Sequence, residues 1–279
     1  MNKVCIAGQY VHPIGIGTWA IGSDPNKRDQ EIKAIRAGLD QGAQVIDTAE
    51  MYDSEELVGE AIKLYDRKKL FLISKVLPSN ASKRKLATSL EKSLQLLGTD
   101  YLDHYMLHWQ GNYSFIETVM ALEEQKKRGL IRSWGVSNLD TEELKQVLSL
   151  PSGKNCASNQ VRYNLKDRGI EYDLLPYMRE QNIPLIAYAP VAKGDTLGKK
   201  LSEQKVLIEI SNQHNCDVFQ LLLAWCIRDK RTIAIPKSSK VEHMVNNIKS
   251  AEITLSKQEC ALIDQYFVPP TKKEMLALW

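Results

Sequence analysis

Residues 70–109 read LFLISKVLPSNASKRKLATSLEKSLQLLGTDYLDHYMLHW, and this stretch contains one complete strand–helix–strand unit. The runs at 70–76 and 101–109 are rich in β-branched, aromatic and other apolar residues, which is typical of buried strands. Residues 82–97 between them carry apolar side chains at helical spacing, and Gly98 stands where a left-handed helix cap is expected. The stretch therefore predicts two strands that a helix connects.

The same alternation continues on both sides of this unit. Further strands are predicted at 15–19, 44–49, 131–137, 157–164, 184–190 and 232–237. Further helices are predicted at 28–41, 54–65, 115–128, 141–149, 171–181, 200–213, 217–229, 240–249 and 256–267. Capping-box spacing supports the start of two helices, with Asp140 before Glu143 and Ser256 before Glu259.

Eight strand–helix units in 279 residues predict an α/β fold, a (β/α)8 TIM barrel that forms a single domain over residues 1–279. Residues 3–13 predict an N-terminal β-hairpin at the bottom of the barrel, and extra helices follow the seventh strand and end the chain. The competing fold is a doubly wound sheet with a G-x-G-x-x-G phosphate loop after its first strand. Gly15, Gly17 and Gly22 miss that spacing, so the barrel is favoured.

Composition restricts the class of protein. The net charge is +3, with 43% hydrophobic and 25% charged residues, as in ordinary globular proteins. No basic block indicates a nucleic-acid partner, and no apolar run is long enough for a membrane span. The five cysteines form no C-x-x-C pair, which favours a reduced, cytoplasmic setting and predicts no metal site.

Four polar residues fall at or just after neighbouring strand ends, where barrel active sites lie. They are Asp47, Tyr52, Lys75 and His108. A lysine cation lowers the pKa of a nearby tyrosine, and a carboxylate keeps a buried lysine charged. A histidine beside them can polarise a carbonyl oxygen. Each residue alone has an ordinary structural explanation, but the set in this order predicts protonation of a developing alkoxide.

The sequence resembles the aldo-keto reductase family. The similarity runs from about residue 14 to 250 through Gly17-Thr18-Trp19, Asp47-Thr48-Ala49-x-x-Tyr52, Gly59-Glu60-Ala61-Ile62, Ser74-Lys75-Val76, Leu107-His108-Trp109, Gly135-Val136-Ser137-Asn138, Asn159-Gln160-Val161-x-Tyr163-Asn164 and Ile235-Pro236-Lys237-Ser238. The resemblance implies an NAD(P)H-dependent oxidoreductase that reduces aldehydes and ketones by hydride transfer. It makes Tyr52 the general acid, Lys75 and Asp47 the pair that tunes it, and His108 the residue that orients the carbonyl.

The resemblance also implies binding residues. For the cofactor they are Gly17, Thr18, Trp19, Ser137, Asn138, Gln160, Tyr188, Gly194, Leu197, Lys237, Ser238, Ser239, His243 and Asn247. Trp19 and Trp109 are expected to wall the substrate pocket. NADPH is the expected cofactor, with NADH as the alternative, because Lys237 and a following helix N-terminus suit a 2′-phosphate. The expected partner is a small carbonyl substrate, bound by a monomer.

Some positions depart from the family pattern. His243 stands where an arginine is common, and a neutral imidazole cannot replace a guanidinium. His104 shares the inward parity of His108 where aliphatic residues are usual, so a core histidine with a hydrogen-bond partner is expected. The C-terminal tail at 268–279 is short and is expected either to fold over the pocket rim or to be mobile. Two alternative functions remain at this point: a cofactor-binding sensor, and a lyase that uses Lys75 in a Schiff base.

Overall fold

The computed structural model describes residues 3–192 and 198–278, and strands alternate with helices along the chain. The strands are β1 (Val4–Ile6), β2 (Gln9–Val11), β3 (Ile16–Gly17), β4 (Val45–Asp47), β5 (Phe71–Val76), β6 (Leu102–Leu107), β7 (Ile131–Ser137), β8 (Cys156–Arg162), β9 (Leu185–Tyr188) and β10 (Thr232–Ala234). The helices are α1 (Arg28–Asp40), α2 (Glu55–Ile62), α3 (Lys83–Leu97), α4 (Phe115–Lys127), α5 (Thr141–Ser149), α6 (Leu174–Glu180), α7 (Gly198–Ser202), α8 (Lys205–Gln213), α9 (Val218–Cys226), α10 (Val241–Lys249) and α11 (Lys257–Tyr266).

Within the described residues, β3 to β10 form one parallel sheet of eight strands in chain order. The sheet closes on itself, because the amide nitrogen of Gly15 donates to Ala234 O at 2.8 Å and that of Gly17 donates to Pro236 O at 2.9 Å. Helices connect successive strands outside this ring. The predicted (β/α)8 barrel is therefore confirmed.

Alternation along the strands divides the core into two regions. One apolar cluster fills the barrel interior and includes Phe71, Ile73, Met106 and Ile233. A larger cluster joins the outer strand faces to the helices. The hairpin of β1 and β2 adds Val4, Ile6 and Val11 to the interior cluster, which confirms the predicted hairpin.

Local signals for helix ends are also confirmed. Asp140 and Ser256 form complete capping boxes with the glutamates three residues later. Gly98 ends α3 in the left-handed conformation, at φ +63°, which a residue without a Cβ adopts at little cost. A third capping box, between Asp217 and Gln220 at the start of α9, was not expected from the sequence. No helix in the described ranges is long and apolar enough to span a bilayer.

One layer of the barrel interior is polar. His104 is fully buried, with Nδ1 2.7 Å from Ser133 Oγ and Nε2 2.8 Å from Ser158 Oγ. Gly135 leaves the room for this contact, because a Cβ there would lie 2.6 Å from both His104 Nε2 and Ser158 Oγ. Burial, and then the nearby Lys75, lower the pKa of His104 to about 3. The expectation of a hydrogen-bonded core histidine is confirmed.

Candidate active site

A buried ion pair lies at the upper end of the barrel. Lys75 at the end of β5 is fully buried, and its Nζ donates to Asp47 Oδ1 at 2.6 Å and to Thr48 O at 2.9 Å. The Nε2 amide of Gln160 on β8 donates to the other carboxylate oxygen of Asp47 at 2.7 Å. Burial lowers the pKa of Lys75, and the contact with Asp47 opposes that shift. Three strands thus hold one charge pair in a fixed geometry.

Hydroxyl groups hold the backbone beside this pair. Thr18 is buried, and its hydroxyl donates to Asp47 O at 2.8 Å. The Ser54 hydroxyl lies 2.8 Å from that of Thr18 and 2.7 Å from that of Thr48. Thr18 was expected among the cofactor residues. In the structure its hydroxyl bonds to the end of β4 and to the loop that follows it.

Tyr52 lies in the loop after β4, above the ion pair. Its amide nitrogen donates to Ala49 O at 2.8 Å, which closes a tight turn. The Nζ of Lys75 lies 5.0 Å from the centroid of the tyrosine ring. Burial, followed by the negative charge of Asp47, raises the pKa of Tyr52 well above its usual range. The phenol therefore keeps its proton at neutral pH, and the tuning of Tyr52 by Lys75 stays a prediction.

His108 follows β6 and faces Tyr52. The two rings meet edge to face with centroids 5.7 Å apart, and Trp109 packs 4.7 Å from the imidazole. Burial and the charge of Lys75 lower the pKa of His108 to about 3, so the imidazole is neutral at physiological pH. Among the described residues nothing accepts from or donates to its buried Nδ1. A neutral imidazole of this kind has one N–H to donate.

Polar side chains at the ends of β7 and β9 border the same site. Asn138 has a φ of +58°, which asparagine tolerates better than most residues. Its Nδ2 donates to His108 O at 3.1 Å, and its Oδ1 accepts from the Tyr188 hydroxyl at 3.0 Å. The Ser137 hydroxyl donates to Gln160 O at 2.9 Å. The sequence-predicted Ser137, Asn138, Gln160 and Tyr188 therefore lie in one network with the catalytic candidates.

A second group of expected cofactor residues lies where β10 leads into α10. Lys237 and His243 are exposed, Ser238 is buried, and Ser239 and Asn247 are half-buried. The N-terminus of α10 has no side-chain hydrogen-bond cap. A main-chain hydrogen bond connects this group to the loop that begins at the end of β3, because the amide nitrogen of Gly17 donates to Pro236 O.

Two predicted pocket residues differ in how far they are exposed. Trp109 is 38% exposed and Trp19 is 49% exposed, so both present apolar surface near the barrel mouth. Trp109 contacts His108 directly. Gly194 and Leu197, expected over the cofactor pyrophosphate, lie outside the described residues.

Sequence reasoning missed Arg162 and Lys273, which hold the C-terminal tail. Arg162 is buried at the end of β8, where its Nε donates to Asp167 at 2.7 Å and its Nη1 donates to Leu278 O at 3.1 Å. Lys273 pairs with Asp173 at 3.2 Å. The tail thus lies against the end of β8, and Trp279 lies outside the described residues. A signal existed for Arg162, since it shares the inward parity of Gln160 on the same strand.

Comparisons with known proteins show the family. The model of the Aldo/keto reductase family matches residues 13–267. The chain is 45% identical over 266 residues to methylglyoxal reductase YeaE of Escherichia coli, covering 94% of this chain and 93% of that enzyme. It is 33% identical to glyoxal reductase of Bacillus subtilis, over 85% of this chain and 83% of that protein.

A solved structure gives the same result for the fold. An aldo-keto reductase from Klebsiella pneumoniae, crystallised in complex with NADPH, superposes with a TM-score of 0.97 at 44% identity. The match covers 100% of this chain and 99% of the other. The chain therefore belongs to the aldo/keto reductase family of oxidoreductases.

Proposed function

We propose that this protein is an NADPH-dependent reductase of small aldehydes and ketones, with Tyr52 as the general acid. The observation that carries the proposal is the buried Asp47–Lys75 pair under a protonated tyrosine. Burying two charges is costly, and such pairs stabilise a fold poorly, so a role in proton transfer accounts for this one better than a role in stability. The neutral His108 completes the set.

The residues present fit a nicotinamide dinucleotide. Ser137, Asn138 and Tyr188 offer a hydroxyl, an amide and an aromatic ring beside Tyr52, which suits a nicotinamide group. Lys237 and the α10 N-terminus without a side-chain cap offer a cation and free N–H groups for a phosphate. The NADPH complex of the Klebsiella relative supports the same assignment. When bound, NADPH supplies the hydride for the carbonyl carbon.

The protein residues manage the proton and the developing charge. Tyr52 donates its phenolic proton to the carbonyl oxygen as that oxygen becomes an alkoxide, which is a stronger base than phenolate. The ammonium of Lys75 then stabilises the tyrosinate that remains. The neutral His108 orients the carbonyl oxygen through its N–H. Asp47 and Gln160 keep Lys75 in place throughout.

We assign small 2-oxoaldehydes of the methylglyoxal and glyoxal type as substrates. The names of two relatives, methylglyoxal reductase and glyoxal reductase, support this class. Trp19 and Trp109 are partly exposed and offer apolar walls at the mouth. A small neutral dicarbonyl fits such walls better than a highly charged sugar phosphate.

The decisive experiment replaces Tyr52 with Phe and follows NADPH consumption with methylglyoxal. We expect turnover to fall at least about 100-fold, because general acid catalysis contributes that much, while NADPH still binds. NADPH binding is measured by protein fluorescence. The matched control is Tyr10→Phe, an exposed tyrosine on the hairpin, which should keep full activity. Turnover of Tyr52→Phe near that of the unmodified protein would refute the mechanism.

The lyase alternative has less support. A Schiff-base lysine needs a neutral amine that the substrate can reach, whereas Lys75 is fully buried and bonded to Asp47. Borohydride treatment with methylglyoxal should therefore leave no adduct on Lys75. The same NADPH assay distinguishes the reductase from a sensor, because a sensor would bind NADPH and consume none with methylglyoxal.

The proposed enzyme is a single-domain monomer that acts in the cytoplasm. The expected site residues run from Gly17 to Asn247, so no part of the chain holds the site alone. Reduced cysteines without a C-x-x-C pair fit the cytoplasm. Size-exclusion chromatography with light scattering tests the monomer, and a mass near 63 kDa instead of 31.6 kDa would contradict it.

A further inference from the structure

Glu50 lies in the turn that carries Tyr52, between the end of β4 and the tyrosine. Its amide nitrogen donates to Lys75 O at 3.0 Å, so its main chain already touches the strand end that carries the buried lysine. The turn from Ala49 to Tyr52 closes around Glu50. A displacement of Glu50 therefore displaces Tyr52.

The carboxylate of Glu50 is bound on both oxygens. Oε2 accepts from the amide of Leu77 at 2.8 Å, and Oε1 accepts from Asn80 Nδ2 at 2.6 Å and from Ser89 Oγ at 2.9 Å. The donors come from the segment after β5 and from α3. Hydrogen bonds to an ionised carboxylate are stronger than neutral ones, so this side chain fixes the loop firmly.

The segment that Glu50 holds also positions His108. The amide nitrogen of His108 donates to Val76 O at 3.1 Å. Lys75, Val76 and Leu77 are consecutive, and they are bonded in turn to the Glu50 amide, to His108 and to the Glu50 carboxylate. One short stretch thus joins the Tyr52 loop to the lysine and the histidine of the site.

We infer that Glu50 is a positioning residue for the reduction, which sets where Tyr52 stands relative to Lys75 and His108. This inference rests on the proposed role of Tyr52. The Glu50 carboxylate is bonded to Leu77, Asn80 and Ser89, so we expect Glu50 to act through geometry. Its loss should lower kcat and leave the binding of NADPH unchanged, because the groups that it positions act on the carbonyl and are not the ones expected to hold the cofactor.

The test compares Glu50→Gln with Asp66→Asn, a control in which an exposed carboxylate that accepts a backbone N–H is changed far from the site. Glutamine keeps an acceptor for Asn80 and Ser89, but its NH2 group faces the Leu77 N–H. We expect kcat for methylglyoxal to fall about 10-fold, since small misplacements of catalytic groups have effects of this size. KM and the Kd for NADPH should stay within about twofold, and the control should match the unmodified protein.

A double variant separates positioning from a general structural role. In a Tyr52→Phe background, Glu50→Gln should cause no further loss of kcat, because no acid remains to be placed. A kcat of Glu50→Gln within about twofold of the unmodified protein, or the same loss in both backgrounds, would overturn the inference. Failure of the proposed function shows instead as full activity of Tyr52→Phe alone.

A milder variant covers the case in which Glu50→Gln does not fold. Asn80→Ala removes one donor of the three from the Glu50 carboxylate. We expect about a threefold fall in kcat at constant KM, in line with the loss of one hydrogen bond. An unchanged kcat in folded Asn80→Ala protein would count against the inference.

Discussion

The buried pair of Asp47 and Lys75 allows activity and stability to be separated. Their contact is 2.6 Å, and the side chains are 3% and 0% exposed. Removing one partner leaves the other charge buried, which costs about 3–5 kcal/mol in comparable sites. Lys75→Met should therefore lower the free energy of unfolding by about 3 kcal/mol, and Asp47→Asn by a similar amount.

The double variant Asp47→Asn/Lys75→Met should be destabilised by only about 3 kcal/mol rather than about 6, because no uncompensated charge is left. The coupling energy is then about 3 kcal/mol, at the upper end for residues in direct contact. Urea unfolding followed by tryptophan fluorescence measures it. The double variant should remain inactive, since the charge that stabilises the tyrosinate is gone. Additive destabilisation near 6 kcal/mol would refute the reasoning.

Two further predictions concern histidines. His104 and His108 have pKa values lowered to about 3, so between pH 6.5 and 3 the unfolded chain binds more protons than the folded one. Stability should thus fall as pH falls through that window, and His104→Gln should reduce the slope by about 1.4 kcal/mol per pH unit, measured by urea unfolding. In cofactor binding, His243→Arg should raise the ratio of kcat/KM for NADPH over NADH about tenfold, because a guanidinium binds a phosphate strongly.

Each of these two predictions has an outcome that contradicts it. Equal slopes in His104→Gln and the unmodified protein would mean that His104 is not the buried neutral base described. For the cofactor, Lys249→Arg in the last turn of α10 is the control and should leave the ratio unchanged. A ratio that does not rise in His243→Arg would remove that position from 2′-phosphate recognition.

The barrel could be predicted because its signals are local and repeated. The run at 70–76 and the helix at 82–97 differ in hydrophobic period. The structure has β5 and α3 there, and each begins one residue later than predicted. The predicted and observed ends of an element differ by more than one residue where a turn determines the end. The predicted strand at 101–109 stops at Leu107 in β6, so His108 and Trp109 belong to the loop.

The catalytic candidates could be predicted because parity along a strand tells which side chains face inward. Lys75 and Gln160 could be placed at the barrel mouth in this way. The hydrogen bond from Gln160 to Asp47 could not be predicted, since it depends on the ring closure that brings β8 across from β4. Residue types alone also do not show how far burial and Asp47 raise the pKa of Tyr52.

Among the described residues, two hydrogen-bond networks of polar side chains lie inside the barrel, and this arrangement constrains how the site can change. Ser133 and Ser158 satisfy His104 in one layer, while Asp47, Lys75 and Gln160 satisfy each other nearer the mouth. A buried polar network is tolerable only when every member has its partner, so any single substitution costs stability as well as activity. Glu50 lies outside these two networks, with its carboxylate bonded to Leu77, Asn80 and Ser89, so its effect on activity can be measured without changing the partners of Asp47 or His104.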